Sequence, residues 1–184
     1  MCVRISAWLH KISSGWLVLG TLAIFFLFMI LILPSQAAKA DPAGSPDTSL
    51  YYSPAELYRL AEAYGPEGRR HYLRSRFSFD LIFPLVYAAF LATNISWLLR
   101  RTFPLQSWWQ RLNLVPLWGA FFDYLENITA SLVMWRYPVQ VPIAATLAPL
   151  FTLVKWFFVG GGFLFLIVVG LVRLGQWLRS RAEG

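Results

Sequence analysis

The heptapeptide Phe121-Phe-Asp-Tyr-Leu-Glu-Asn127 places two carboxylates and an amide inside a long apolar run of the chain. The run, about residues 116–135, matches the roughly 20 residues that a helix needs to cross the hydrocarbon layer of a bilayer. A charge at that depth costs roughly 2.5–3.5 kcal/mol on insertion scales, so it persists only where other protein groups compensate it. The heptapeptide therefore predicts a membrane helix whose polar side faces the inside of a bundle.

The composition of the whole chain also indicates a membrane protein. Hydrophobic residues make up 58% and charged residues 14% of the sequence, whereas a soluble domain carries about 25% charged residues. Backbone polar groups in lipid must be satisfied within the chain, so the apolar runs are expected to be helices. We expect an all-α fold with a single membrane domain, residues 1–184: a polytopic bundle of four transmembrane helices, with a short helical extracytoplasmic segment at about 50–78. The expected spans are about 15–33, 79–99, 116–135 and 147–172.

The positive charge of the chain follows the expected spans. The formal net charge is +7, and basic residues are dense in the N-terminal tail, in the 100–115 connection and in the C-terminal tail. This distribution satisfies the positive-inside rule with both termini in the cytoplasm. No basic stripe interleaved with stacking aromatic residues is present, so nucleic-acid binding is excluded. The prediction is a multi-pass protein of a cell membrane, the bacterial inner membrane, with the lipid bilayer as its first partner.

The first apolar run has an alternative interpretation. A basic tail, an apolar stretch and then Ala38-Lys39-Ala40 before Asp41 match the pattern of a cleaved signal peptide. The apolar stretch is longer than the 7–15 residues usual in signal peptides, which favours a retained membrane anchor. Either form leaves the three later spans in the same orientation.

The segment between the first two spans is predicted to contain two helices. Ser53-Pro54-Ala55-Glu56 combines a cap residue, a proline at the first helical position and a glutamate three residues after the cap, which is typical of a helix start. Gly65-Pro66 ends this helix and begins another. The second helix carries four arginines that are candidates for contacting lipid head groups or for forming a lid: Arg69, Arg70, Arg74 and Arg76. The alternative is a solvated cap without a ligand.

Polar residues of the third and fourth spans are expected to meet. Asp123, Glu126 and Asn127 are separated by three and four residues and therefore share one helix face. Lys155 lies at similar depth on the fourth span, and an ion pair with Glu126 or Asp123 is the simplest way to bury these charges. Asp80 and Arg136, at the outer ends of the second and third spans, extend the same candidate network. The five ligand-facing or structural candidates are Asp80, Asp123, Glu126, Asn127 and Lys155.

Two interpretations of this polar set remain open. Buried polar groups can fix the register and rotation of helices. Ionisable residues inside a membrane also mark proton relays and substrate sites. No cofactor and no metal site are expected, because the only histidines, His10 and His71, lie outside the spans and Lys155 competes with a cation for the carboxylates.

Several short motifs resemble those of a group of small bacterial four-helix integral membrane proteins with no known activity. The resemblance covers about residues 51–157, and Asp123-Tyr-Leu-Glu-Asn127 is its most specific part. It implies a membrane location and four helices, and it implies no activity. A looser similarity is to four-helix sterol-isomerase-like proteins, whose acids face a lipid pocket. The residues that carry the first resemblance are Tyr52-Ser53-Pro54, Gly65, Glu67-Gly68-Arg69, Asp80, Pro84, Tyr87, Asp123 to Asn127, Tyr137-Pro138, Thr152 and Lys155-Trp156.

Three functions are compatible with the sequence. The first is a non-enzymatic bundle that binds a lipid, a hydrophobic small molecule or a partner membrane subunit, including a second copy of the chain. The second is a proton-linked transporter in which Glu126 or Asp123 carries the proton. The third is a lipid-modifying enzyme that uses Asp123 and Glu126 as acid and base. The first is favoured, so the protein is expected not to be an enzyme.

Overall fold

The computed structural model describes residues 2–37, 44–46 and 49–182. Helices make up 87% of the structure, and the described residues include no strand, which confirms the all-α prediction. A π-helical segment, Phe28–Ile32, joins the second and third α-helices, and a 3-10 helix, Trp108–Leu114, precedes the seventh. The α-helices are α1 (Cys2–Ile12), α2 (Gly15–Leu27), α3 (Leu33–Ala37), α4 (Pro54–Ala63), α5 (Gly65–Arg76), α6 (Phe79–Thr102), α7 (Val115–Arg136) and α8 (Pro142–Ala182).

Three helical stretches of the described chain are long and apolar enough to cross a membrane. They are Gly15–Ser35, Gly65–Thr102 and Pro142–Ala182. The second stretch contains both α5 and α6. Helix α7 is not among the three although it has 22 residues, because Asp123, Glu126 and Asn127 lower its mean hydropathy. The apolar character expected of a membrane protein is therefore confirmed for three helices, and the total of four stays a prediction.

Most of the apolar surface of the first and third of these stretches points away from the protein core. In the most apolar window of Gly15–Ser35 only 6% of the residues are buried, and in that of Pro142–Ala182 only 17%. Individual side chains such as Ile30, Phe157 and Leu164 are strongly exposed. Soluble monomers rarely expose contiguous apolar patches of more than a few hundred Å². In a bilayer, lipid tails, which are as apolar as these side chains, would cover this surface and keep it out of water.

The helical bundle has two ends, each covered by different short elements. At one end α4 and α5 pack over the last turns of α7 and the first turns of α8, with Leu57, Val133 and Ala145 fully buried between them. At the other end α1 and the 3-10 helix contact the C-terminal part of α6. The last turns of α8 reach this second end, where Gln176 Nε2 donates to the carbonyl of Thr102 at 3.4 Å. Helix α1 and the C-terminal part of α8 therefore lie at the same end of the bundle.

The two short helices before α6 form where the sequence predicts them. Ser53 Oγ accepts the N–H of Glu56 at 3.2 Å, and the Glu56 carboxylate accepts the N–H of Ser53 at 2.7 Å, which completes a capping box. The hydrogen bond from the Ser53 backbone, together with that from its hydroxyl, holds the pKa of Glu56 below its ordinary value. Gly65 has a φ of 60°, the left-handed conformation that glycine adopts without steric cost, and begins α5.

The long helices extend beyond the predicted spans. Helix α8 has 41 residues, against the predicted 147–172, and is therefore about 60 Å long, twice the thickness of the hydrocarbon layer. It continues through Gly160, Gly161 and Gly162 without a break, so these glycines do not interrupt the helix. The candidate cleavage site Ala38-Lys39-Ala40 lies outside the described residues.

Helices α7 and α8 approach each other closely at Gly119. A Cβ atom at this position would lie 2.9 Å from Val159 Cγ2 and 3.5 Å from the Val159 backbone nitrogen. Because valine is stiff at χ1, it cannot move aside without moving α8. Gly161, on α8, has no atom within 4 Å of the equivalent position and faces open space.

We expect Gly119→Leu to destabilise the protein by about 1–3 kcal/mol, since added methylene groups in a packed interface force the helices apart. The matched control, Gly161→Leu, is expected to leave the melting temperature close to that of the wild type. Thermal unfolding in detergent micelles measures both. Equal melting temperatures for the two variants would contradict the close approach of α7 and α8.

Candidate functional site

The acidic face of α7 is buried against its neighbouring helices. Near the middle of α7, Glu126 and Asn127 lie about one turn after Asp123, so the three residues share one face as their spacing predicts. Glu126 is only 1% exposed and Asn127 7% exposed, and the Asp123 side chain is 13% exposed. A carboxylate this deeply buried requires a cation or several hydrogen bonds nearby.

Lys155 of α8 supplies that cation. Its Nζ lies 2.5 Å from Glu126 Oε2 and 3.8 Å from Asp123 Oδ1, and its side chain is 6% exposed. The expected contact between the acidic face of α7 and the amine of α8 is therefore present. One ammonium group sits between two carboxylates, with the shorter contact to Glu126.

Asp123 has further partners on both of its oxygens. Tyr87 of α6 donates its hydroxyl to Asp123 Oδ2 at 3.0 Å, and Asn127 Nδ2 donates to Asp123 Oδ1 at 3.3 Å. The phenol brings a third transmembrane-length helix into the network. Tyr87 is not among the site residues that the sequence predicts, because a tyrosine in an apolar run gives no signal of its own.

A second ion pair is joined to the first through Asn127. Arg76 lies at the end of α5. Its Nη1 lies 3.0 Å from Asp80 Oδ2 and donates to Asn127 Oδ1 at 3.2 Å. Its guanidinium also packs over the ring of Tyr72, 4.4 Å from the centroid, and donates to Ser45 Oγ at 3.3 Å. Asn127 therefore links the two ion pairs, because its oxygen accepts from Arg76 while its amide donates to Asp123.

We refer to these seven residues as the polar centre: Arg76, Asp80, Tyr87, Asp123, Glu126, Asn127 and Lys155. They come from α5, α6, α7 and α8, so the centre connects the α4–α5 pair to the long helices. All five residues predicted from the sequence as its candidates belong to it. Arg136 does not, since its side chain is exposed and lies beside the ring of Trp135.

The four arginines of α5 have different environments, although the sequence predicts the same role, in a lid or in head-group binding, for all of them. Arg76 is 5% exposed and belongs to the polar centre; a buried guanidinium does not contact lipid head groups. Arg69 donates to the carbonyl of Ala61 at 2.7 Å and packs 4.8 Å from the centroid of the Tyr137 ring. Arg70 and Arg74 are exposed. Only these last two are positioned as the head-group prediction requires.

A second buried polar cluster lies at the opposite end of the bundle. The sequence does not predict it. Asn113, which is fully buried, donates to Ser96 Oγ at 2.9 Å and to the carbonyl of Ser6 at 3.1 Å. The ring nitrogens of His10 lie 3.2 Å from the carbonyl of Ser96 and 2.9 Å from that of Gln110. These contacts fasten α1 and the 3-10 helix to α6. The residues lie in three separate segments and follow no periodic pattern that could have revealed them.

The surface of the described residues includes two open, apolar grooves. One, of about 200 Å³, runs between α2 and α6 and is lined by Thr21, Ile24, Leu85, Val86 and Ala89. The other, of about 550 Å³, lies along α8 and is lined by Leu50, Leu153, Val154, Trp156 and Phe157. Neither groove is lined by a residue of the polar centre. Within the described residues, no group of three or more His, Cys, Asp or Glu side chains is arranged to hold a metal ion.

Comparison of the chain with protein-family models, with curated proteins and with solved structures found no match. The polar centre and the two grooves are therefore the features that bear on the function.

Proposed function

We propose that the chain is a four-helix integral membrane protein that binds a lipid or another hydrophobic partner and catalyses no reaction. In this proposal α7 joins the three apolar stretches as an additional span, the third in chain order; the α4–α5 pair lies outside the cytoplasm, and both termini lie inside it. Helix α7 packs between α6 and α8 and turns its carboxylates toward Lys155 and Tyr87. An acidic helix of this kind is compatible with lipid because its charges face protein.

The observation that carries this proposal is the separation of the charges from the grooves. An acid–base or transport site needs a path by which substrate, ion or water reaches the ionisable groups. The residues of the polar centre bind one another at 2.5–3.8 Å, while the grooves on α2–α6 and on α8 are lined by apolar side chains. Such surfaces fit acyl chains or the helix of a partner membrane protein, including a second copy of this chain.

A proton-linked transporter is the second candidate, and one observation favours it. Asp123 and Glu126 share the single ammonium of Lys155, and paired carboxylates of this kind can exchange a proton between them. Transport predicts that Glu126→Gln abolishes a pH-dependent flux in proteoliposomes. The lipid-modifying alternative, with Asp123 and Glu126 as acid and base, has less support because neither groove reaches either carboxylate.

Site-directed labelling tests the proposed topology. In a Cys2→Ser background, Gln106→Cys precedes α7 and Gln140→Cys follows it, and both positions are exposed. If α7 crosses the membrane, a membrane-impermeant maleimide added to intact cells labels position 140, and position 106 is labelled only after the cells are opened. Labelling of both positions from the same side would remove α7 from the spans and overturn the proposal.

A further inference from the structure

The exposed arginines of α5 precede a row of exposed apolar residues of α6 in the chain. Arg70 and Arg74 are four residues apart and therefore project from the same face of α5. Arg70 contacts Glu67 at 3.2 Å, with both side chains more than 70% exposed, and ion pairs that exposed contribute little. Arg74 forms no ion pair with any residue in the described ranges. Both guanidinium groups are therefore available to an external anion.

Exposed apolar residues continue from these arginines toward the groove between α2 and α6. Phe77, in the turn between α5 and α6, is 61% exposed, Leu81 45% and Leu85 59%. Leu85 also lines the groove, together with residues of α2. Exposed basic residues near the end of α5 are thus followed along the chain by exposed apolar residues that lead to a concave site.

The position of the groove along α6 fits the reach of an acyl chain in one leaflet. Leu85 lies six residues after Phe79, the first residue of α6, which is about 9 Å along the helix axis. Half the hydrocarbon thickness of a bilayer is about 15 Å. The groove therefore lies within reach of an acyl chain whose phosphate is bound at the last turn of α5, where Arg74 lies.

We infer that this face of α5 and α6 binds one anionic phospholipid, with its phosphate on Arg70 and Arg74 and one acyl chain in the α2–α6 groove. The inference rests on the proposed membrane insertion and names the ligand. Arginine binds phosphate oxygens through two parallel N–H donors. A zwitterionic head group carries its own cation beside the phosphate and competes with the arginines, so the charge of the surface selects an anionic lipid.

Lipid titration of the detergent-solubilised full-length protein, followed by native mass spectrometry, tests the inference. Phosphatidylglycerol is compared with phosphatidylcholine of identical acyl chains. Each basic residue near an anionic lipid contributes about a fivefold gain in affinity, so two arginines predict a preference for phosphatidylglycerol of roughly ten- to thirtyfold. The double variant Arg70→Gln/Arg74→Gln is expected to lose this preference.

Matched variants separate a specific site from general charge and from misfolding. Arg59→Gln/Arg136→Gln removes two exposed charges at the same end of the bundle and is expected to keep the preference. Ala89→Trp, which fills the groove, is expected to weaken binding of both lipids, whereas Ile167→Trp on the exposed face of α8 is not. Melting curves of all variants show whether each is folded.

Equal affinity for the two lipids, or equal losses in the two double arginine variants, would overturn the inference. Inorganic phosphate is added as a third probe, and binding that it fully replaces would show a site for free anions and overturn it as well. These outcomes are independent of the labelling of positions 106 and 140. A protein that spans the membrane four times but shows no lipid preference keeps the proposed topology and loses only this site.

Discussion

Lys155→Met is expected to destabilise the folded protein by about 3–5 kcal/mol, the usual cost of removing one partner from a buried ion pair. The variant leaves Glu126, which is 1% exposed, and Asp123 without the ammonium that lies 2.5 Å and 3.8 Å from them. Methionine nearly preserves the volume of the side chain, so a loss of packing contributes little. The readout is thermal or denaturant unfolding in detergent micelles.

Lys11→Met is the matched control for this variant. Lys11 is exposed at the end of α1, so the same substitution there removes the same charge without uncovering a buried carboxylate. Its unfolding is expected to match that of the wild type within about 0.5 kcal/mol. Similar melting curves for the two variants would mean that the buried amine does not stabilise the fold.

Arg76→Met is expected to destabilise the protein by about 3–5 kcal/mol for the same reason and to loosen the packing of α4 and α5 as well. The guanidinium of Arg76 holds Asp80 at 3.0 Å and Asn127 at 3.2 Å, and so joins the end of α5 to α6 and α7. Without it, the buried oxygen of Asn127 loses a charged donor. We expect faster hydrogen exchange in α4 and α5 than in α7, measured by mass spectrometry.

Arg74→Met, on the same helix, provides the control. Its side chain is exposed, and the substitution is expected to leave both the melting temperature and the exchange of α4 and α5 unchanged in detergent. If the two arginine variants gave the same exchange pattern, Arg76 would not be the link between α4 and α5 and the long helices.

The parts of the fold that could be predicted are those determined by local sequence patterns. The spacing of Asp123, Glu126 and Asn127 defined one helix face, and burial of that face required a cation at the depth of Lys155. The capping box at Ser53 and Glu56 fixed the start of α4, since it depends on four neighbouring residues. The helix bounds were less accurate because α8 stays helical beyond its apolar portion.

The contacts that could not be predicted depend on how separate helices pack. Arg76 is one of four arginines within eight residues, and only the packing of α5 against α7 distinguishes it from the exposed Arg74. Tyr87 joins the polar centre because α6 turns that face toward α7. The cluster around Asn113 unites α1, α6 and the 3-10 helix. Chain periodicity carries no information on which distant residues meet in this way.

A double-mutant cycle between Glu126→Gln and Lys155→Met is the most direct test of whether the buried charges of the polar centre stabilise one another. Four proteins are compared by denaturant unfolding: the wild type, the two single variants and the double variant. We predict a coupling energy of about 2 kcal/mol or more, because the double variant removes both charges at once and recovers part of the cost of Lys155→Met alone. Additive effects, within about 0.5 kcal/mol, would show that the two side chains do not interact and would contradict the inward orientation of the acidic face of α7.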